Sequence, residues 1–443
     1  MTLIRATIPV AVIAAAAGCA MSSSSSTTST AMAVGAEAAP SGQRVACATT
    51  LVGITLPAGF CATVFADTLG AARHMTVAPN GDVFVAISNR QNVRGGVVAL
   101  RDADRDGQAE VRQRFGDGGN TGIALANGYL YLDAAPAIVR YPLAAGQLEP
   151  SGPPDTLVTG LPTGGHGARV FAIDGNSLFV VVGSRTNACQ TADRQPESPG
   201  IPDCPELQTR AGVWQFDVNR LRQTQADAQR FATGIRNAVA FTRHPTTGAL
   251  YAVQHGRDNF VQNWPKLYDQ KESAEQPSEE FLHVTRGSDY GWPFCYHDRA
   301  RDKELLAPEY GGDKNAQGRC ANVTPPIGSF PGHWGPNDLL FYTGTQFPEK
   351  YRGGAFIAFH GSWNRAPEPQ EGYNVVFQPM ADGKPSGDFE VFADGFAGAR
   401  KQPGSATHRP AGLAVGPDGA LFITDDQRGT VWRVGYGEAA AGR

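Results

Sequence analysis

The residues best suited to chemistry in this chain are its histidines and arginines, and they fall in a pattern. Only nine His occur in 443 residues. Yet Arg73 and His74, His166 and Arg169, Arg236 and Asn237, His333, and His408 and Arg409 each stand where an apolar stretch begins. Asn120 and Thr121 hold the same place in one more copy. A second set stands where the next apolar stretch ends: Arg90, Arg185, His255-Gly256-Arg257-Asp258, His360 with Arg365, and Asp425-Asp426 with Arg428. A neutral imidazole can take a proton, and a guanidinium grips carboxylates through paired hydrogen bonds. Like charges brought together are unfavourable unless an anion neutralises them. If these positions converge, they form a polyanion site beside a base.

A repeat would make them converge. The phrase MTVAPNGDVFVAIS begins at Met75 and returns as IALANGYLYLDAA at Ile123, VFAIDGNSLFVVVG at Val170 and VAFTRHPTTGALYAVQHG at Val239. A looser copy starts at Leu339, and LAVGPDGALFITDD at Leu413 is a clean one. Gly81, Gly128, Gly175, Gly248, Gly353 and Gly419 mark the turns, the first two intervals being 47 residues. A third strand follows each hairpin (GGVVALR, AIVRYPL, GVWQFDV, EFLHVTRG, NVVFQPM, GTVWRVG), and segments such as ATVFADTLG and DTLVTGLP supply a fourth. The period and the strand lengths predict an all-β chain, a six-bladed β-propeller of four-stranded antiparallel blades. The 53 Gly and 31 Pro fit many short strands and argue against long helical bundles. In each blade the start of the first strand and the end of the second share one face, so both polar sets ring the same channel mouth.

The ends of the chain read differently from its body. Residues 1–19 resemble a bacterial lipoprotein signal ending on Cys19, and the Ser/Thr/Ala-rich stretch 20–46 reads as a tether. The propeller then occupies 47–437, with a short tail at 438–443. The expectation is an exported protein, lipid-anchored in the bacterial envelope and touching the membrane only through that anchor. In an oxidising compartment the remaining six Cys fall into three local pairs: Cys47–Cys61, Cys189–Cys204 and Cys295–Cys320. The net charge of −4 offers no broad basic front for nucleic acid. The run Asp102-Ala103-Asp104-Arg105-Asp106-Gly107 is like the front of a calcium loop, with Glu110 near its ninth position but Gln113 at the twelfth. Gln270 to Glu280, rich in charge, reads as a solvated insertion.

Over residues 50–437 the chain resembles the quinoprotein sugar dehydrogenases, of the soluble glucose, sorbosone and pyranose dehydrogenase types. Four places carry the resemblance: GLPTGGHGARV, TGIRNAVAF, QHGRDN, and SDYGWP at 288–293. It implies a six-bladed propeller using pyrroloquinoline quinone (PQQ) and Ca²⁺ to oxidise a sugar, with electrons leaving to an external acceptor. It implies His166 as general base and Arg236 with Asn237 at the quinone carbonyl region. It places the backbone carbonyls of Gly256 and Arg257 on the calcium. Asn120, Thr121, His408 and Arg409 match positions that hold the cofactor carboxylates. The three carboxylates of PQQ account for a cationic ring with few acids facing it. The chain also departs from the glucose-dehydrogenase branch. Gly165 stands where that branch has an acid before the base, and Arg257 where it has a proline. These changes point toward the sorbosone and pyranose branch.

Two other functions fit a propeller. A lactonase-like hydrolase holds calcium on Glu, Asp and Asn side chains, and a non-catalytic propeller binds sugar or protein. No G-x-S-x-G, Walker A or HExxH motif appears.

Overall fold

The computed structural model describes residues 53–90 and 94–437. The expected leader with Cys19, the tether, Cys47 and the tail lie outside the described residues.

Six four-stranded antiparallel sheets form the body. Numbered from the first complete repeat, blades I to VI have innermost strands Ala71–Val77, Ile123–Ala126, Phe171–Asp174, Ala240–Arg243, Pro336–Phe341 and Pro410–Val415. Each innermost strand packs on the next, and blade I packs on blade VI, so the sheets close a ring. The expected six-bladed propeller is what the chain forms. The six turn glycines, Gly81, Gly128, Gly175, Gly248, Gly353 and Gly419, all have φ between +55° and +96°. That region costs other residues dearly, which is why a glycine recurs in every copy.

The second strands are apolar throughout rather than alternating. Val83–Ser88 and Leu250–Gln254 are buried along nearly their whole length. A blade has neighbours on both faces, so neither face can be polar. The hydrophobic core is accordingly divided into wedges, one between each pair of adjacent blades, such as Phe356, Tyr342, Leu413 and Trp432 between blades V and VI.

One strand belongs elsewhere than its place in the sequence suggests. Phe60–Ala66 pairs antiparallel with Val431–Tyr436, from Phe60 opposite Tyr436 onward. It is the outer strand of blade VI and closes the ring. Two insertions rise beside the channel mouth. One lies between the second and third strands of blade III and holds the Cys189–Cys204 disulfide; the other precedes Gly328–Phe330 of blade IV and holds Cys295–Cys320. Both disulfides share one apolar cluster with Trp292 and Phe294. The solvated insertion expected at Gln270–Glu280 is only partly so. Gln270–Glu275 is a short helix, but Glu279 and Glu280 enter the third strand of blade IV and are buried.

Candidate functional site

His166 stands in the loop before Phe171–Asp174 rather than at the opening of that strand. Gly165 has φ +62°, and a Cβ there would meet Arg185 Cα at 2.5 Å. This loop therefore has no room for the acid that the glucose-dehydrogenase branch carries before its base. Ser184 takes over as partner of the ring, with Nδ1 2.9 Å from its Oγ and 3.1 Å from its carbonyl oxygen. The Ser184 hydroxyl donates its single proton to Thr186 O at 2.8 Å. Both Ser184 oxygens are then acceptors, so Nδ1 carries the hydrogen and Nε2 keeps its lone pair. Burial first, and Arg236 second, lower the pKa from 6.5 to about 2. The imidazole is neutral and can accept a proton.

His166, Arg236, Asn237, Gly256 and Arg409 line one open cavity of about 230 Å³. Sequence reasoning missed Glu279, Trp363 and Asn364 in the same wall. His255, Asp258 and His333 of the expected ring line it too, whereas Asn120, Thr121, His408 and Arg257 lie outside that wall. Asn120 bonds Asp133 Oδ2 at 2.8 Å and Gly167 O at 3.0 Å, and Thr121 accepts from Arg73 Nε at 3.4 Å. His408 is held by Asp425 at 2.9 Å and meets Trp432 edge-on. Arg257 lies behind the wall, its guanidinium paired with buried Glu309.

The cationic ring is real, but acids do face it, contrary to the expectation of few. Asp133 pairs with Arg169 at 3.2 Å. Asp258 serves both Arg236 and Arg194, at 2.9 and 2.7 Å, and Asp426 serves both Arg73 and Arg90, at 2.9 and 3.3 Å. Two guanidiniums share each of these last carboxylates; Arg194 also has Asp193 at 3.8 Å, so the surplus positive charge lies in the Arg73–Arg90–Asp426 cluster. Burial works against ionisation of Asp258, yet Arg236 and Arg194 hold its carboxyl below the usual range. Arg236 spends its donors on the protein: Nε on Asn187 O, Nη1 on Gly256 O at 2.8 Å, Nη2 on Asn187 Oδ1 and Asp258. Arg409 differs. It donates to His360 O at 3.0 Å and Gly361 O at 2.6 Å, and among the described residues no carboxylate lies within ion-pair distance. Burial lowers its pKa, opposed by Tyr373 and Asp426, so a partly desolvated cation faces the cavity with no carboxylate in contact. An anion with several carboxylates fits this surplus.

The oxygen donors fit a hard cation such as calcium. Gly256 and Asn364 line the cavity; the Gly256 carbonyl accepts from Arg236 Nη1, while Asn364 keeps a buried Oδ1 with no hydrogen-bond partner and donates through Nδ2 to Asp258. Glu279 Oε2 accepts from Gly256 N at 2.9 Å, and burial pushes its carboxyl up to about 8. Gly256 admits no side chain, since a Cβ would meet Pro277 Cγ at 2.9 Å. Away from the cavity, Asp102, Asp104, Asp106 and Glu110 bring one carboxylate oxygen each within 4.8 Å of one another on the surface. Trp363 sits on the rim, 58% exposed.

A family model described as TrAA12-like matches residues 54–436. A pyrroloquinoline quinone-dependent pyranose dehydrogenase of Coprinopsis cinerea is 25% identical over 323 residues, covering 62% of this chain and 40% of that protein. The chain spans half or less of the length of the curated relatives it matches. The holo form of the PQQ domain of pyranose dehydrogenase from Coprinopsis cinerea superposes with a TM-score of 0.70 at 20% identity, over 86% of this chain and 97% of that one. The calcium structure of the Trichoderma reesei member of carbohydrate-active enzyme family AA12 gives 0.72 at 18% identity, over 90% and 98%. At these identities the structural likenesses establish the fold.

Proposed function

Because the chain belongs to the TrAA12-like family, we propose that it is a PQQ- and calcium-dependent dehydrogenase that oxidises a CH–OH group of a sugar, an aldose or a sorbosone-type substrate. The observation that carries this reading is the pairing of His166, neutral with a free Nε2, and Arg409, without a carboxylate partner, in one cavity. When bound, PQQ supplies the hydride acceptor and calcium polarises its carbonyl. The protein does the rest. His166 Nε2 takes the substrate hydroxyl proton, and the two Ser184 oxygens steady the cation that forms on the ring. Arg409 and the surplus charge of the neighbouring Arg73–Arg90–Asp426 cluster bind carboxylates. Gly256, Arg257 and Asn364 offer oxygens to the cation. The exposed indole of Trp363 presents a flat apolar face to a sugar ring at the entrance.

Incubating the apo-protein with PQQ and Ca²⁺ tests the reading: a quinone absorbance on the protein and sugar-dependent dye reduction support it. Asp258, Glu279 and Asn364 are the donor types of a calcium-dependent hydrolase, so lactone hydrolysis without PQQ would overturn it in favour of that class. Silence in both assays would leave a non-catalytic binding propeller. Export and a lipid anchor on Cys19 complete the proposal. A Cys19→Ser protein that still sediments with membranes after processing refutes the anchor.

A further inference from the structure

The charged segment Gln270–Glu280 and the approach to blade V meet at His333, a cavity residue that the proposed chemistry does not use. His333 is buried and lines the same wall as Trp363 and Asp258. Its Nε2 stands 3.0 Å from both Ser273 O and Gln276 O, at the end of the helix Gln270–Glu275. Carbonyl oxygens only accept, so Nε2 carries the hydrogen. Burial, opposed by Asp258, lowers the pKa of the ring, which is therefore neutral and keeps its lone pair on Nδ1. Among the described residues nothing donates to that nitrogen.

The backbone holds this pose at a cost. His333 has φ +62°, a left-handed conformation that few residues other than glycine adopt. Arg365 ties down the same corner, donating to Gly332 O at 3.1 Å and to Ala274 O at 2.8 Å. A Cβ on Gly332 would meet Glu275 O at 2.6 Å, so the chain passes the helix end with no room to spare. Strain kept in the wall of a cavity points to a use.

The free atom decides what that use is. A lone pair repels carboxylates and quinone oxygens, so Nδ1 does not suit the anionic groups that Arg409 serves, and calcium prefers oxygen ligands. It suits a hydroxyl. The hydroxyl oxidised at His166 gives its proton to that residue, so His333 is left to read another. We infer that His333 accepts a hydrogen bond from a second hydroxyl of the substrate, which makes it a specificity residue and the substrate an aldose rather than a simple alcohol. The inference rests on the dehydrogenase reading above.

The test compares kcat/KM of the full chain, with PQQ and Ca²⁺ saturating, for D-glucose, D-galactose and D-mannose and for their monodeoxy analogues. In the wild-type protein one analogue of the best substrate should lose about 10- to 100-fold, the effect of leaving a buried acceptor without its donor. His333→Asn keeps a side chain that tolerates positive φ but withdraws the ring nitrogen. It should turn over the parent sugar and that analogue alike, while PQQ binding, titrated separately, stays at the wild-type value. Should His333→Asn fail to fold, His333→Gly relieves the backbone and removes the ring, and the same loss of discrimination is expected. A folded variant that still rejects the analogue overturns the inference, as does one whose defect lies in PQQ binding. A wild-type protein that accepts every analogue as well as the parent overturns it too. A wild-type protein that binds PQQ yet oxidises none of these sugars overturns the dehydrogenase reading itself, and this inference with it.

Discussion

Replacing His166 by Ala removes the one imidazole whose Nδ1 proton is locked in place by two acceptors in the cavity wall. A placed general base contributes about 10²- to 10⁴-fold in rate, or roughly 3–5 kcal/mol at 1.36 kcal/mol per tenfold. His166→Ala should therefore slow sugar-dependent quinone reduction by that factor while PQQ binding holds. The change should cost little stability, because it leaves only the Ser184 acceptors without their donor, about 1 kcal/mol. Ser184→Ala makes the internal comparison. It deletes Oγ, but the Ser184 carbonyl at 3.1 Å still accepts from Nδ1, so the tautomer survives and the loss should stay under about tenfold. The assay is single-turnover reduction of bound quinone by sugar, with PQQ saturating. A His166→Ala protein that reduces its quinone at the wild-type rate refutes the assignment and passes the role to His255. That residue is another neutral imidazole of the wall, its Nδ1 3.2 Å from Asn237 O and its pKa lowered to about 3, chiefly by burial.

Arg409→Ala should weaken PQQ binding by tens- to hundreds-fold, about 2–4 kcal/mol, since it leaves a cofactor carboxylate unpaired in a desolvated site; an unchanged PQQ titration places the residue outside the site. In the apo-protein the His166 ring protons, followed by NMR, should not shift through pH 6.5. The lowered pKa keeps the ring neutral until the pH falls toward about 2, and a midpoint near 6.5 contradicts the buried, Arg236-facing environment. Gly165→Asp should lower the thermal midpoint rather than sharpen the base, because the φ of +62° and the 2.5 Å approach to Arg185 Cα leave no place for a side chain; higher turnover at unchanged stability would contradict this. Replacing Cys295 and Cys320 together by Ala opens a 25-residue loop and should cost about 3–4 kcal/mol of stability by chain entropy, read from denaturant unfolding.

The ring was legible from the sequence because each blade must turn tightly at the same place, and only glycine turns that way cheaply. Arg236, Asn237 and Arg409, and His166 in the loop ahead of its strand, were legible for a related reason: the approaches to the innermost strands on one face of a propeller gather at the channel mouth. The carboxylates were not. Arg73 finds Asp426, and Arg169 finds Asp133, across blade boundaries, and no local pattern marks such partners. Glu279 was hidden by its surroundings in the chain, where the Lys and Glu of a surface helix run straight into a strand buried by the next blade. Asn364 and Trp363 sit in a loop without periodicity, so only the folded ring brings them to the wall.

The pairing of Phe60–Ala66 with Val431–Tyr436 also sets the order of assembly. Phe60–Ala66 has no partner until Val431–Tyr436 has been synthesised, so the ring cannot be closed blade by blade from the front. The closing stretch is, moreover, an inner strand of its sheet, flanked by Leu421–Asp425 on one side and Phe60–Ala66 on the other. Losing Val431–Tyr436 thus removes a middle plank and strands the outer one. A ribosome halted before residue 431 yields an open arc with raw sheet edges, a template for aggregation, so closure of this ring waits on Val431–Tyr436.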